Sequence, residues 1–302
     1  MWIYFGLASA LFLSFNALCR KRSVKNNAVF PLLLTTNTLS FTLLLPIFIG
    51  TFIHPDFFIK NGLEITPLTL KDHGYIAIKS IIMTGSWICG FYALKHLPIT
   101  IVSPIRASSP ILTFVVAFII YKESPSFIQC FGFICIIGAM FWYSKIGKKE
   151  GIHFKTNRWI LAIVGATLLG SSSSLYDKFL LQHKNYPVLT IQFWFFFYVV
   201  ILMGFLVLFV YKPNKKKMGV FKWHWTILAT GVFSLLADYF YFKGLQNPEA
   251  LITMMSAIKR CQLLFTVAIG GVIFKEQNKG LKLLPLVVVF IGVLCILYGS
   301  VK

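Results

Sequence analysis

Apolar runs of membrane-spanning length follow one another along the chain, and they fix the kind of fold it can adopt. A helix needs about 20 predominantly apolar residues to cross the hydrocarbon core. Ten stretches meet that measure: residues 2–19, 30–53, 75–94, 97–121 and 125–144, then 158–181, 188–211, 224–245, 249–274 and 282–300. A bilayer offers no water to satisfy peptide groups, so such runs must be helical. The expected fold is all-α, an integral membrane bundle of ten transmembrane helices. Only 13% of the residues are charged, about half the share in a soluble domain (~25%). No polar stretch is long enough to bury a core of its own. The longest, His54 to Asp72, reads as an extramembrane loop.

The formal net charge of +20 raises the question of nucleic acid, and the placement of the cations argues against it. They cluster in short connections (Arg20-Lys21-Arg22, Lys148-Lys149, Lys215-Lys216-Lys217), as loops facing an anionic leaflet do. The six cysteines form no C-x-x-C pair and read as buried, inert thiols. No metal-ligand spacing or cofactor motif is present, so no cofactor is expected. The run from Trp2 to Leu18 lacks a preceding basic region and reads as a first retained span rather than a signal peptide. There is no G-x-S-x-G, no phosphate-cradling glycine loop and no H-E-x-x-H. Nothing in the motifs supports an enzyme.

The two halves of the chain resemble each other. Ser103-Pro104-Ile105-Arg106 precedes Tyr121-Lys122-Glu123, and Ser256-Ala257-Ile258-Lys259 precedes Phe274-Lys275-Glu276. Cation and glutamate are 17 positions apart both times. Upstream, Ala17-Leu18-Cys19-Arg20-Lys21 aligns with Ser174-Leu175-Tyr176-Asp177-Lys178. Five spans per half is an odd number, so the second half enters the membrane from the opposite side and the repeats are inverted. The halves run over residues 1–145 and 158–302, joined by a connecting loop at 146–157.

With this duplicated unit, its Lys122-Glu123-Ser124 and Lys275-Glu276-Gln277 hairpins and the Ser173–Lys178 run, the chain resembles the drug/metabolite transporter superfamily in its ten-helix EamA-type branch. The resemblance implies a central cavity lined by both halves and a role as exporter or exchanger of metabolites. It also implies a multi-pass protein of the cell (inner) membrane with both termini in the cytoplasm. Connections after odd-numbered spans carry most of the 29 Lys and Arg, so the positive-inside rule alone puts both termini outside. Small four-helix multidrug relatives carry a glutamate in the first span. Here that span offers Ser9, Ser14 and Asn16 but no acid, so their proton-coupled cation mechanism does not transfer.

Three cations lie deep inside the apolar runs, away from their ends: Arg106, Lys259 and Arg260. A charge at bilayer depth costs about 3 kcal/mol on insertion scales, so such residues face a protein interior, a wet cavity or a counter-charge. Ser256, Lys259 and Arg260 share one helical face, and Ser103 and Arg106 share another. If these faces meet near the midplane, they suit a phosphate or carboxylate. Asp238 is the one acid well inside a span; structural pairing, an amine contact and proton coupling are all open to it. Asp177 and Lys178 read as an interfacial ion pair, with a gate as the alternative. Trp87, Tyr92, Tyr239 and Tyr241 are cavity candidates, whereas Phe193–Tyr198 reads as lipid-facing. The expected substrate-binding set is Arg106, Lys259, Arg260, Ser103, Ser256, Asp238, Tyr241 and Trp87. The expected partners are a small-molecule substrate, the lipid bilayer, and a proton or counter-substrate. The rival reading is a non-transporting scaffold or sensor whose internal charges only lock the bundle.

Overall fold

Residues 2–109, 126–149, 156–247, 255, 259, 262–273 and 279–301 are described by the structure, a computed structural model. Every regular element among them is helical. The main helices are α1 (Trp2–Val24), α2 (Val29–Ile53), α3 (Leu70–His96), α4 (Ile99–Ala107) and α5 (Phe127–Lys149). The second half supplies α6 (Arg158–Lys178), α7 (Val188–Leu206), α8 (Trp225–Gln246), α9 (Gln262–Ile273) and α10 (Lys279–Val301). Among the described residues, five helical segments are long and apolar enough to cross a membrane: Val29–Ile53, Leu70–His96, Arg158–His183, Val188–Tyr211 and Trp225–Gln246. Residues 110–121 of the expected fourth span and much of the ninth lie outside the described residues, as do both hairpin glutamates.

Local chemistry sets the helix limits. The Thr69 side chain accepts from Asp72 N and starts α3, five residues before the apolar run suggests. Asn157 caps α6 in the same way, accepting from Trp159 N. Pro98 and Pro187 immediately precede α4 and α7, where a missing N–H costs little. α6 and α7 each run on through a π turn, Phe179–His183 and Val207–Tyr211. Part of the polar excursion after α2 is itself ordered, as a short helix at Pro55–Lys60. The excursion is fastened to the second half. Thr66 N donates to Thr190 Oγ1 at 2.9 Å, and the Tyr186 hydroxyl donates to the Asp72 carboxylate. Burial, reinforced by that carboxylate, pushes the Tyr186 phenol up, so it stays a donor at physiological pH.

Helix packing crosses between the halves. α1 lies along α8, and α3 lies along α6; α2 packs on α7, α4 on α9, and α5 on α10. Exchanging the halves (α1 with α6, α2 with α7, and so on) maps these main contacts onto one another. The contact of α1 with α9 likewise has its counterpart in that of α4 with α6. Small residues permit close approach. A Cβ on Gly292 of α10 would meet Ile136 Cγ1 at 2.7 Å and Gly132 O at 2.8 Å, both on α5. The Phe193–Tyr198 run is not lipid-facing. Phe193, Phe195 and Phe196 are buried, because α7 packs against α2, α3 and α8. Phe193 stacks on Phe48 of α2 at 4.4 Å between ring centres.

Candidate functional site

Polar side chains that have no place against lipid turn inward along the seams between halves. Asn16 Nδ2 donates to Thr230 O at 2.8 Å, and Ser9 Oγ donates to Ala237 O at 2.8 Å, tying α1 to α8. Ser86 Oγ donates to Ala166 O at 2.7 Å, tying α3 to α6. Between these seams lies a cavity of about 200 Å³, lined by α1, α2, α3, α4, α6, α7, α8, α9 and Lys259. Its α6 wall is hydroxylic: Ser171 and Ser174 face it while donating to carbonyls one turn back, at 2.8 and 3.1 Å. Ser173 Oγ, Gln192 Oε1 and Thr266 Oγ1 also belong to lining residues, are buried, and have no partner among the described residues. Unpartnered polar atoms around a polar void are what a polar guest or water would satisfy.

Charge is unevenly spread in this chamber. Lys79 of α3 and Asp177 of α6 form an ion pair, 2% and 7% exposed. The Lys79 ammonium also lies 4.5 Å from the ring centre of Phe242 and 5.1 Å from that of Phe195. Lys259 sits 4.0 Å over the Tyr241 ring. Asp238 is within electrostatic reach of Lys259 and, more weakly, of Lys79. Arg106 projects from the end of α4 against Gly90 of α3, where an added Cβ would come within 3.4 Å of its Nη1. Arg106 has no hydrogen-bond or ion-pair partner among the described residues.

Of the residues singled out from sequence, Arg106, Lys259, Asp238, Tyr241 and Trp87 all line this one cavity. Trp87 is held edge-on to Phe195 at 5.6 Å between ring centres. Ser103 belongs to α4, and Ser256 and Arg260 lie outside the described residues. Tyr92 packs away from the cavity, stacking on Trp159 at 6.0 Å. Asp177 is not interfacial: its partner is Lys79, and the pair is buried in the cavity wall. Lys79 and Arg20 are cavity residues that the apolar pattern hides. Both fall near the ends of apolar runs, where a long cationic side chain ordinarily reaches for the membrane surface. The pairing of Arg20 with Asp177 in the aligned halves was the one available signal.

The sequence matches the EamA-like transporter family over residues 1–145 and 157–298. The chain belongs to the EamA-like transporter family. It is accordingly a multi-pass integral membrane protein of a transporter family, with apolar helices of spanning length. Among curated proteins none matches the sequence significantly. Of the solved structures, 28 chains match. One, described only as "Crystal structure of protein", is 14% identical with a TM-score of 0.69, over 97% of this chain and 95% of its own. At that identity the likeness concerns the fold alone.

Proposed function

We propose that this EamA-like protein is a secondary transporter of the cell membrane, exporting or exchanging a small anionic or zwitterionic metabolite by alternating access. The observation that carries the reading is Arg106: a guanidinium lining an internal cavity with no acid or acceptor of its own among the described residues. A half-buried cation at membrane depth without a counter-charge is costly, and an arriving carboxylate or phosphate reduces that cost with bidentate hydrogen bonds. Lys259, Arg260, Ser103 and Ser256 extend the anion site, Asp238 balances charge, and Trp87 and Tyr241 form its apolar walls. Rocking of the halves about the cavity exposes it to each side in turn, driven by a substrate or ion gradient.

The test is counterflow of a candidate anion in liposomes containing purified protein, wild type against Arg106→Gln. The variant is expected to insert and fold normally and to lose at least about 90% of the flux. A charge-assisted hydrogen bond contributes ~1.5–3 kcal/mol, enough for that loss. Wild-type flux through the variant would refute the assignment and return the internal charges to a purely structural role.

A further inference from the structure

Arg20 forms the α1 side of the same cavity. Its guanidinium lies 5.1 Å from the centre of the Phe91 ring, and its Nη2 donates to Asn16 Oδ1 at 3.0 Å. Asn16 is itself pinned by its bond to Thr230 O, so the acceptor that aims Arg20 is fixed. The Arg20 Nε is buried with no partner among the described residues. Arg106 rests on Gly90, the residue just before Phe91. The two guanidiniums thus sit on consecutive residues of α3 and within electrostatic reach of each other.

Two like charges lining one low-dielectric cavity repel. Neither forms an ion pair among the described residues. Asp238 acts on Arg20 from a distance, but Lys259 and Lys79 act on Asp238 more strongly. The described lining holds four cations (Arg20, Lys79, Arg106 and Lys259) against two acids, Asp177 and Asp238. Asp177 is engaged by Lys79. Among the described residues two positive charges are therefore in excess, and Arg20 and Arg106 are the cations without an ion-pair partner at hand there.

We propose that Arg20 and Arg106 form a two-arginine clamp for a compact, doubly charged oxyanion of the phosphate-monoester class. This rests on the reading of the cavity as the substrate site and names its substrate. A phosphate-monoester head puts two charges and three acceptor oxygens at one point, matching two planar donor forks. A monocarboxylate leaves one guanidinium unmatched. A dicarboxylate carries its second charge away from the arginine pair. The hydroxyls of α6 line the remaining space for a small organic remainder.

The experiment uses purified full-length protein and reads binding by thermal stabilisation at constant ionic strength. The probes are methyl phosphate, sulfate, acetate and glycine. Methyl phosphate and sulfate are expected to bind at least about tenfold more tightly than acetate or glycine, since each good charge-assisted pair is strong. A phosphate monoester has its second ionisation near pH 6. Lowering the pH from about 7.5 to about 5 should weaken methyl phosphate roughly tenfold and leave sulfate unchanged. Arg20→Gln should erase the preference for dianions while retaining monoanion binding. Acetate or glycine binding as tightly as methyl phosphate would overturn the clamp, as would equal weakening of sulfate and methyl phosphate at low pH. Either result leaves the Arg106 site standing. That site fails instead if Arg106→Gln keeps wild-type affinity for every probe. The wild-type comparison needs no substitution, so the clamp remains testable even if Arg20→Gln does not fold.

Discussion

Gly90 determines how closely Arg106 can approach α3. An alanine there would make ordinary contact with Nη1 at 3.4 Å and with the Ala166 Cβ at 3.7 Å. A leucine would occupy the space that the guanidinium now fills. Gly90→Leu is expected to raise the transport KM by roughly tenfold or more, as loss of one charge-assisted bond implies. Overpacking should also cost ~1–3 kcal/mol of stability, so liposome flux against substrate concentration is measured on folded, reconstituted protein. Lys79 and Asp177 behave differently, because each neutralises the other in a buried place. Lys79→Met alone strands a carboxylate and should cost ~3–5 kcal/mol. Lys79→Met with Asp177→Leu removes both charges and should recover most of that loss, as read by thermal unfolding in detergent. Arg106 was legible in the sequence because it interrupts an apolar run near its middle. Lys79 was not, because hydropathy locates a span only to within several residues and α3 begins earlier than its apolar core.

Among the helices, existence and type were legible, and facing was not. Runs of about 20 apolar residues permit only helix in a bilayer, and α2, α3, α6, α7 and α8 follow the sequence closely. Which face meets lipid is another matter. Lipid tails and a helix neighbour are equally apolar, so hydropathy does not tell them apart. The misread Phe193–Tyr198 run is the result: its phenylalanines fill the seams between α7 and its three neighbours. Close helix contact gives a sharper handle. Gly292 has no room for a methyl group, since both the Ile136 side chain and the Gly132 carbonyl stand under 3 Å from a Cβ there. Gly292→Ala should force α5 and α10 apart and destabilise by ~1–3 kcal/mol. Among the described residues neither helix supplies part of the cavity wall, so substrate preference should be unaltered. Thermal unfolding and a competition assay on the same preparation separate the two effects.

For the molecule as a whole, the ten spans expected from sequence would put both termini on one face of the membrane. Reporter tags at the two ends, one active only in the cytoplasm and one only outside it, are expected to give the same side for both. Opposite sides would mean an odd number of spans and would remove the inverted-repeat reading. The duplicated cation–glutamate spacing made two halves legible. The pairing of α1 with α8 and of α3 with α6 was not, because sequence repetition carries no information about which copy a helix leans on. That pairing also bears on the transport cycle. Swapping the halves reproduces the main helix contacts among the described residues, so under the proposed alternating access these contacts by themselves favour neither facing. On that proposal, a resting bias would come from side chains the halves do not share. Lys79 and Asp177 are foremost among these, so substitutions at that pair should tip the balance between the two facings as well as loosen the fold.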